Sequence, residues 1–311
     1  MLINLLPDFF AVLQCAEPEA AYLRYFDAHR DILEAYWRNY VIEPVGPQFT
    51  EIVRDVVRAD RADLAAMLSR TDIAPLGQAT AERCAAVFNA DSDVDVVLMV
   101  GVGAANAGEL VVAGRGVAFV CLEHFTSVAG GPTRGLGLDP ELAPMWLAHE
   151  YAHCVRYTSP ASRSEMRQLV EAAGGYYSYW DTGRYATLRE HLVNEGLAVH
   201  AARQFSPGHA PWEYYGYSRR QYVRIRELEP LIGHAVAEDI DETGLGLRLR
   251  FLSGGMSEEA RTVNRYVLPD RSGYYLGARI VDSAVSSMGI ARALRASAAE
   301  LCSVPGAARS A

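Results

Sequence analysis

Two histidines and a glutamate in Pro144-Met-Trp-Leu-Ala-His149-Glu150-Tyr-Ala-His153 pose the first chemical question. His149 and His153 lie four positions apart, so a helix carries them on one face, where two imidazoles can converge on a single zinc ion. Glu150 then points about 100° away from His149, beside the metal. There it can take a proton from a metal-activated water and pass it to a leaving amine. Pro144 is tolerated near the start of such a helix, and Trp146 shares the histidine face, where it would pack beside the site. Five-residue H-E-x-x-H matches also arise by chance, so the pattern needs a third ligand from another element.

Catalytic zinc takes three protein ligands and keeps one position open. Downstream runs Leu188-Arg-Glu-His-Leu-Val-Asn194-Glu195-Gly196-Leu197-Ala198-Val199. Leu188, Leu192, Val199 and Ala202 recur there at helical spacing, and Glu195 occupies a place in that stripe where an apolar residue belongs. A carboxylate on a buried face is costly unless a cation compensates it. Zinc is that cation in one reading; in the other it is an arginine such as Arg156 or Arg203. His191, one turn before Glu195, is the rival ligand, and its edge position reads instead as an outer, partly exposed histidine.

The elements that must hold these residues follow from periodicity. From Pro18 to about Arg70 apolar residues recur at helical spacing, with Gly46 and Pro47 as punctuation, which predicts a helical N-terminal region over 1–85. A second region, 86–302, opens with VDVVLMVG and GVAFVCLEHF, read as two strands joined across the glycine-rich GVGAANAGELVVAGRG, and returns to helices after Gly137. Residues 303–311 read as a disordered tail. Gly101, Gly103 and Gly108 with Glu123 mimic a dinucleotide-binding turn, but the third glycine is displaced and too few residues remain for a crossover helix. Turn geometry explains those glycines better. The fold class is α+β and mostly helical, with a small sheet.

The chain has 311 residues, large enough for a full core, with 29 basic against 38 acidic side chains and a net charge of −9. Every basic residue is arginine, which removes Schiff-base chemistry and the lysine of phosphate-binding loops. Net acidity argues against nucleic acid as a partner. The longest apolar run, Val96 to Ala105, is too short to cross a bilayer, so no membrane partner is expected. Five scattered cysteines form no C-x-x-C pair and read as reduced thiols of a cytoplasmic protein. Cys154 adjoins His153, but helical geometry turns it away from the metal.

HEYAH followed 42 positions later by Glu195 in Asn-Glu-Gly-Leu-Ala resembles the gluzincin metallopeptidases. With SGYYLGARIVD near the C-terminus, it resembles the family of predicted zinc-dependent proteases, in which an H-E-x-x-H helix, an E-G-x-A helix and a late G-Y-x-x-G segment occur in this order. The likeness spans roughly residues 90 to 290 on three short motifs, and departs from the pattern at Ala278, where an aromatic residue is common. It implies a zincin-like fold, zinc ligands His149, His153 and Glu195, and Glu150 as base.

Tyr274 and Tyr275 are both candidate donors to the oxyanion of peptide hydrolysis, opposite Glu150. The family-like G-Y-x-x-G favours Tyr274. Gly273 and Gly277 would let backbone approach the cleft. Tyr176, Tyr177, Tyr179 and Trp180, then Trp212, Tyr214, Tyr215 and Tyr217, flank the Glu195 helix and read first as packing, second as cleft lining.

These residues lead to a zinc peptidase with one zinc per chain and a peptide or protein substrate, its cleft between a mixed α/β upper part and a helical lower part. The strand around Val117 to Leu122 is the expected edge for an extended peptide. The alternative is a metal-stabilised binding or regulatory protein without efficient hydrolysis, against which Glu150 argues, since a structural zinc needs no base. Endopeptidase or exopeptidase mode and oligomeric state are left open.

Overall fold

The computed structural model describes residues 1–130 and 135–303. Its main sheet has four strands, β1 (Leu2–Asn4), β2 (Val94–Met99), β3 (Ala107–Val112) and β4 (Arg115–Cys121), in the order β1-β2-β4-β3. β1 and β4 both run parallel to β2, and β3 is antiparallel to β4. β2 and β4 are rich in β-branched residues and buried on both faces, as a covered sheet requires.

Parallel neighbours need a crossover connection. Between β1 and β2 it is supplied by six helices: α1 (Leu6–Leu13), α2 (Pro18–Ala28), α3 (Arg30–Tyr40), α4 (Gly46–Arg58), α5 (Ala62–Leu68) and α6 (Ile73–Val87). Region 1–85 therefore begins with a strand of the sheet and packs into the same hydrophobic core as the rest of the chain. From α3, Tyr36 and Tyr40 meet Phe119 of β4 edge-on, with ring centres 5.3 and 5.1 Å away.

The glycine-rich stretch departs from its reading as a plain connection. It contains β3, which folds back on β4 through Ala113-Gly114, both at positive φ (50° and 80°), as a two-residue hairpin turn demands. The strand expected at Val117 to Leu122, β4, is consequently interior, paired on both sides, and the edge next to it is β3. A pattern of apolar runs does not reveal which strand is outermost.

After the sheet come α7 (Ala143–Thr158), α8 (Glu165–Ala172), α9 (Leu188–Phe205), α10 (Arg219–Glu227), α11 (Glu229–Asp239), α12 (Leu245–Leu252), α13 (Glu258–Arg261), α14 (Ser272–Met288), α15 (Ile290–Ala293) and α16 (Ala298–Ser303). α7 lies between β3, β4 and α9, and α14 crosses α9 on its other side. At that crossing a Cβ on Gly196 would run into the Gly277 carbonyl, and one on Gly277 into the Leu192 carbonyl. The two glycines thus let backbones touch. Of the tail expected at 303–311, Ser303 ends α16 and 304–311 lie outside the described residues. Among the described residues no helix is long and apolar enough to cross a membrane.

Candidate metal centre

α7 has Pro144 in its first turn and is buried almost all round, its two histidines included. α9 starts at Thr187, whose hydroxyl accepts from the Glu190 N–H (3.2 Å). Packed side by side, the helices bring His149, His153 and Glu195 together: one ligand atom from each lies within 4.8 Å of the others. The Nε2 atoms of His149 and His153 stand 3.4 and 3.5 Å from the same oxygen, Glu195 Oε2. Trp146 packs its ring 5.4 Å from that of His149.

The alternative partners of Glu195 are committed elsewhere. Arg156, fully buried, grips both oxygens of Glu190 at 3.0 Å and also bonds Asn194 and the carbonyls of Leu294 and Ala296. Arg203 donates to the Tyr215 hydroxyl (2.7 Å). His191 is buried rather than at an edge, hydrogen-bonded through Nε2 to the Gly183 carbonyl (2.8 Å) and outside the cluster. It faces the loop before α9, which the helical pattern does not show.

Two imidazole nitrogens aimed at one carboxylate oxygen suit a cation between them, and a His-His-Glu set is the donor set zinc uses in hydrolases. Glu195 Oε2 has no hydrogen-bond partner among the described residues, nor do His149 and His153 at Nδ1. An orphaned buried oxygen is costly, and a bound metal ion would relieve it. These residues therefore fit zinc and could hold it. Burial pushes Glu195 up, but His153 and His149 outweigh it and hold the carboxyl well below the usual carboxylate range.

A cavity of about 100 Å³ opens in front of the three. Glu150, Glu109, Tyr40, Tyr179, Arg248 and Tyr274 also line it. Burial, then the charges of Glu109 and Glu195, raises the Glu150 pKa well above its ordinary value. The Tyr274 ring stacks parallel to His149 at 6.2 Å, and burial followed by the Glu195 charge keeps its phenol protonated. Tyr275 turns away to donate to Glu229 (3.1 Å). Gly273 and Gly277 serve the packing of α14 on Leu252 and α9, not an approach to the cavity.

The aromatic clusters divide. Tyr214, Tyr215 and Tyr217 are core, whereas Tyr179 lines the cavity and Tyr177 supports Arg248 through its hydroxyl (2.6 Å). Glu109, Tyr40 and Arg248 escape the sequence reading. Glu109 carried the signal that marked Glu195, a charge within an apolar run, but inside a stretch that read as turn. Arg248 stands three and four positions before Phe251 and Leu252, on their side of a short helix.

A family model described as Predicted Zn-dependent protease matches residues 176–303, a segment holding Glu195, Arg248 and Tyr274 and starting downstream of His153. No curated protein and no solved structure matches the chain.

Proposed function

We propose that the chain is a zinc-dependent peptidase of gluzincin type, in which His149, His153 and Glu195 hold one zinc ion. The carrying observation is the convergence of two imidazole Nε2 atoms on one Glu195 oxygen at the wall of a cavity that Glu150 also lines. When bound, zinc would supply Lewis acidity to a water molecule and to the substrate carbonyl. Glu150 accepts the proton of the attacking water and delivers it to the leaving nitrogen. Its buried position gives it a higher proton affinity than an exposed glutamate, which suits a group that must hold that proton between the two events. Tyr274 keeps its phenolic hydrogen and donates it to the carbonyl oxygen as negative charge develops there. The family description agrees with a protease over 176–303.

The test is zinc content by elemental analysis, before and after chelation, with turnover of casein or a peptide library. The purified protein should carry one zinc per chain and regain activity when zinc is restored. Glu150→Gln should keep zinc and fold while kcat falls at least ~10²-fold, because the amide cannot accept a proton. Tyr274→Phe should keep zinc and lose less. A chain that takes up no zinc, or a Glu150→Gln protein with wild-type turnover, sinks the reading.

A further inference from the structure

Of the buried arginines among the described residues, Arg156 and Arg248 are treated differently. Arg156 has a carboxylate, a side-chain amide and two carbonyls around it. Arg248, 6% exposed, has the Tyr177 hydroxyl at 2.6 Å, the Tyr179 carbonyl at 3.2 Å and the Tyr179 ring face at 3.5 Å. Among the described residues none of its direct partners is a carboxylate. The Glu109 charge acts on it from across the cavity without touching it, so the guanidinium lacks a carboxylate in direct contact, and its planar fork is shaped to receive one. It also lines the cavity of the metal centre, as the sole arginine among the described lining residues, beside Glu109, Glu150 and Glu195. Apart from the proposed metal, Arg248 is the one cationic side chain among the described lining residues that a substrate carboxylate would meet there.

The cavity favours a chain end over a chain middle. At about 100 Å³ it is small beside ligand pockets of roughly 300–1,000 Å³. The strand edge that an extended peptide would use is also occupied. Tyr40 Oη accepts the Glu109 N–H (2.9 Å) and lies 3.0 Å from the Glu109 carbonyl and 2.8 Å from Glu109 Oε2, while the Val111 carbonyl accepts from Tyr177 N–H (3.1 Å).

We infer that Arg248 is the anchor for a free C-terminal carboxylate of the substrate, which makes the centre that of a carboxypeptidase-type exopeptidase. The inference rests on the peptidase reading above. Water adds across an amide near the substrate's C-terminus: the new C–O bond forms, the C–N bond breaks, and the nitrogen leaves with the proton carried by Glu150.

Binding and cleavage test it separately. Zinc-supplemented Glu150→Gln protein is titrated calorimetrically with N-acetyl-pentaalanine as free acid, with the same peptide as C-terminal amide, and with an amide carrying one internal glutamate. The free acid should bind about 10- to 100-fold more tightly than either amide, the range of a charge-assisted hydrogen bond. Adding Arg248→Gln should erase the difference, and Arg248→Lys should retain part of it. Equal binding of acid and plain amide, or no binding of either, overturns the anchor. An internal glutamate that binds as well as the free acid overturns the C-terminal assignment. Should Arg248→Gln fail to fold, the acid-to-amide comparison on the protein that keeps Arg248 decides alone. Wild-type turnover of both peptides with equal KM would leave a peptidase and remove the anchor. Discrimination in binding without any turnover would keep the anchor and remove the peptidase.

Discussion

At the scale of single residues, Glu195 and His191 sit one turn apart on α9 yet have opposite surroundings. Glu195 reaches the two imidazoles of α7, whereas His191 spends Nε2 on the Gly183 carbonyl. Glu195→Ala should therefore lose most bound zinc, and His191→Ala should keep most of it at some cost in stability, both read by elemental analysis and thermal melting. The reverse outcome would move the ligand to His191. Glu195 is legible in the sequence because an ionised group in an apolar helical stripe demands a partner, and an eighteen-residue helix makes the stripe long enough to see. Glu109 and Arg248 obey the same logic in elements of six and eight residues, where one charge among apolar neighbours is unremarkable.

At the scale of elements, the metal centre depends on how closely α14 approaches α9. Gly277 faces the Leu192 carbonyl with no space for a methyl group, three residues before Glu195. Gly277→Ala should push the helices apart, costing about 1–3 kcal/mol of stability, with zinc affinity falling as Glu195 shifts. Chemical denaturation and a competitive zinc chelator measure the two effects; an unchanged midpoint and affinity would show that the crossing yields without moving the ligand. The His149–His153 spacing pointed to α7 in the sequence, and the apolar stripe from Leu188 to Ala202 to α9. Sheet order was not legible, because strand pairing joins residues far apart in the chain: β1 meets β2 across more than ninety positions, as Leu2 opposite Val96.

For the whole molecule, one core joins the N-terminal helices, the sheet and the helices of the metal centre, so loss of order in one part is felt in the others. His124 is a point of acid sensitivity in that unit. Its Nδ1 accepts the Leu136 N–H (3.3 Å), which requires the neutral ring, and burial, with Arg61 adding to it, lowers its pKa from 6.5 to about 4. A base whose folded pKa is depressed leaves the unfolded chain to bind the proton first. Stability is unaffected by His124 above pH 6.5 and falls as pH drops from 6.5 to about 4. At ~1.4 kcal/mol per pH unit, the loss is about 3 kcal/mol. Glu123, 3.8 Å away with its pKa raised by burial, works in the opposite sense, so the comparison with a variant isolates the histidine. His124→Asn should flatten the fall in urea midpoint between pH 6.5 and 4.5 relative to wild type; parallel curves would acquit His124.

At Glu109 the cap on β3 is one phenolic oxygen, and its removal has a colloidal consequence. Tyr40→Phe keeps the ring against Phe119 but strips the partner from the Glu109 N–H and carbonyl. An edge strand with unmet backbone groups is a template for pairing with a strand of another molecule. The variant should therefore gain concentration-dependent light scattering on storage while its far-ultraviolet circular dichroism at low concentration stays that of the parent. The phenol that lines the cavity would then also guard the strand edge against association.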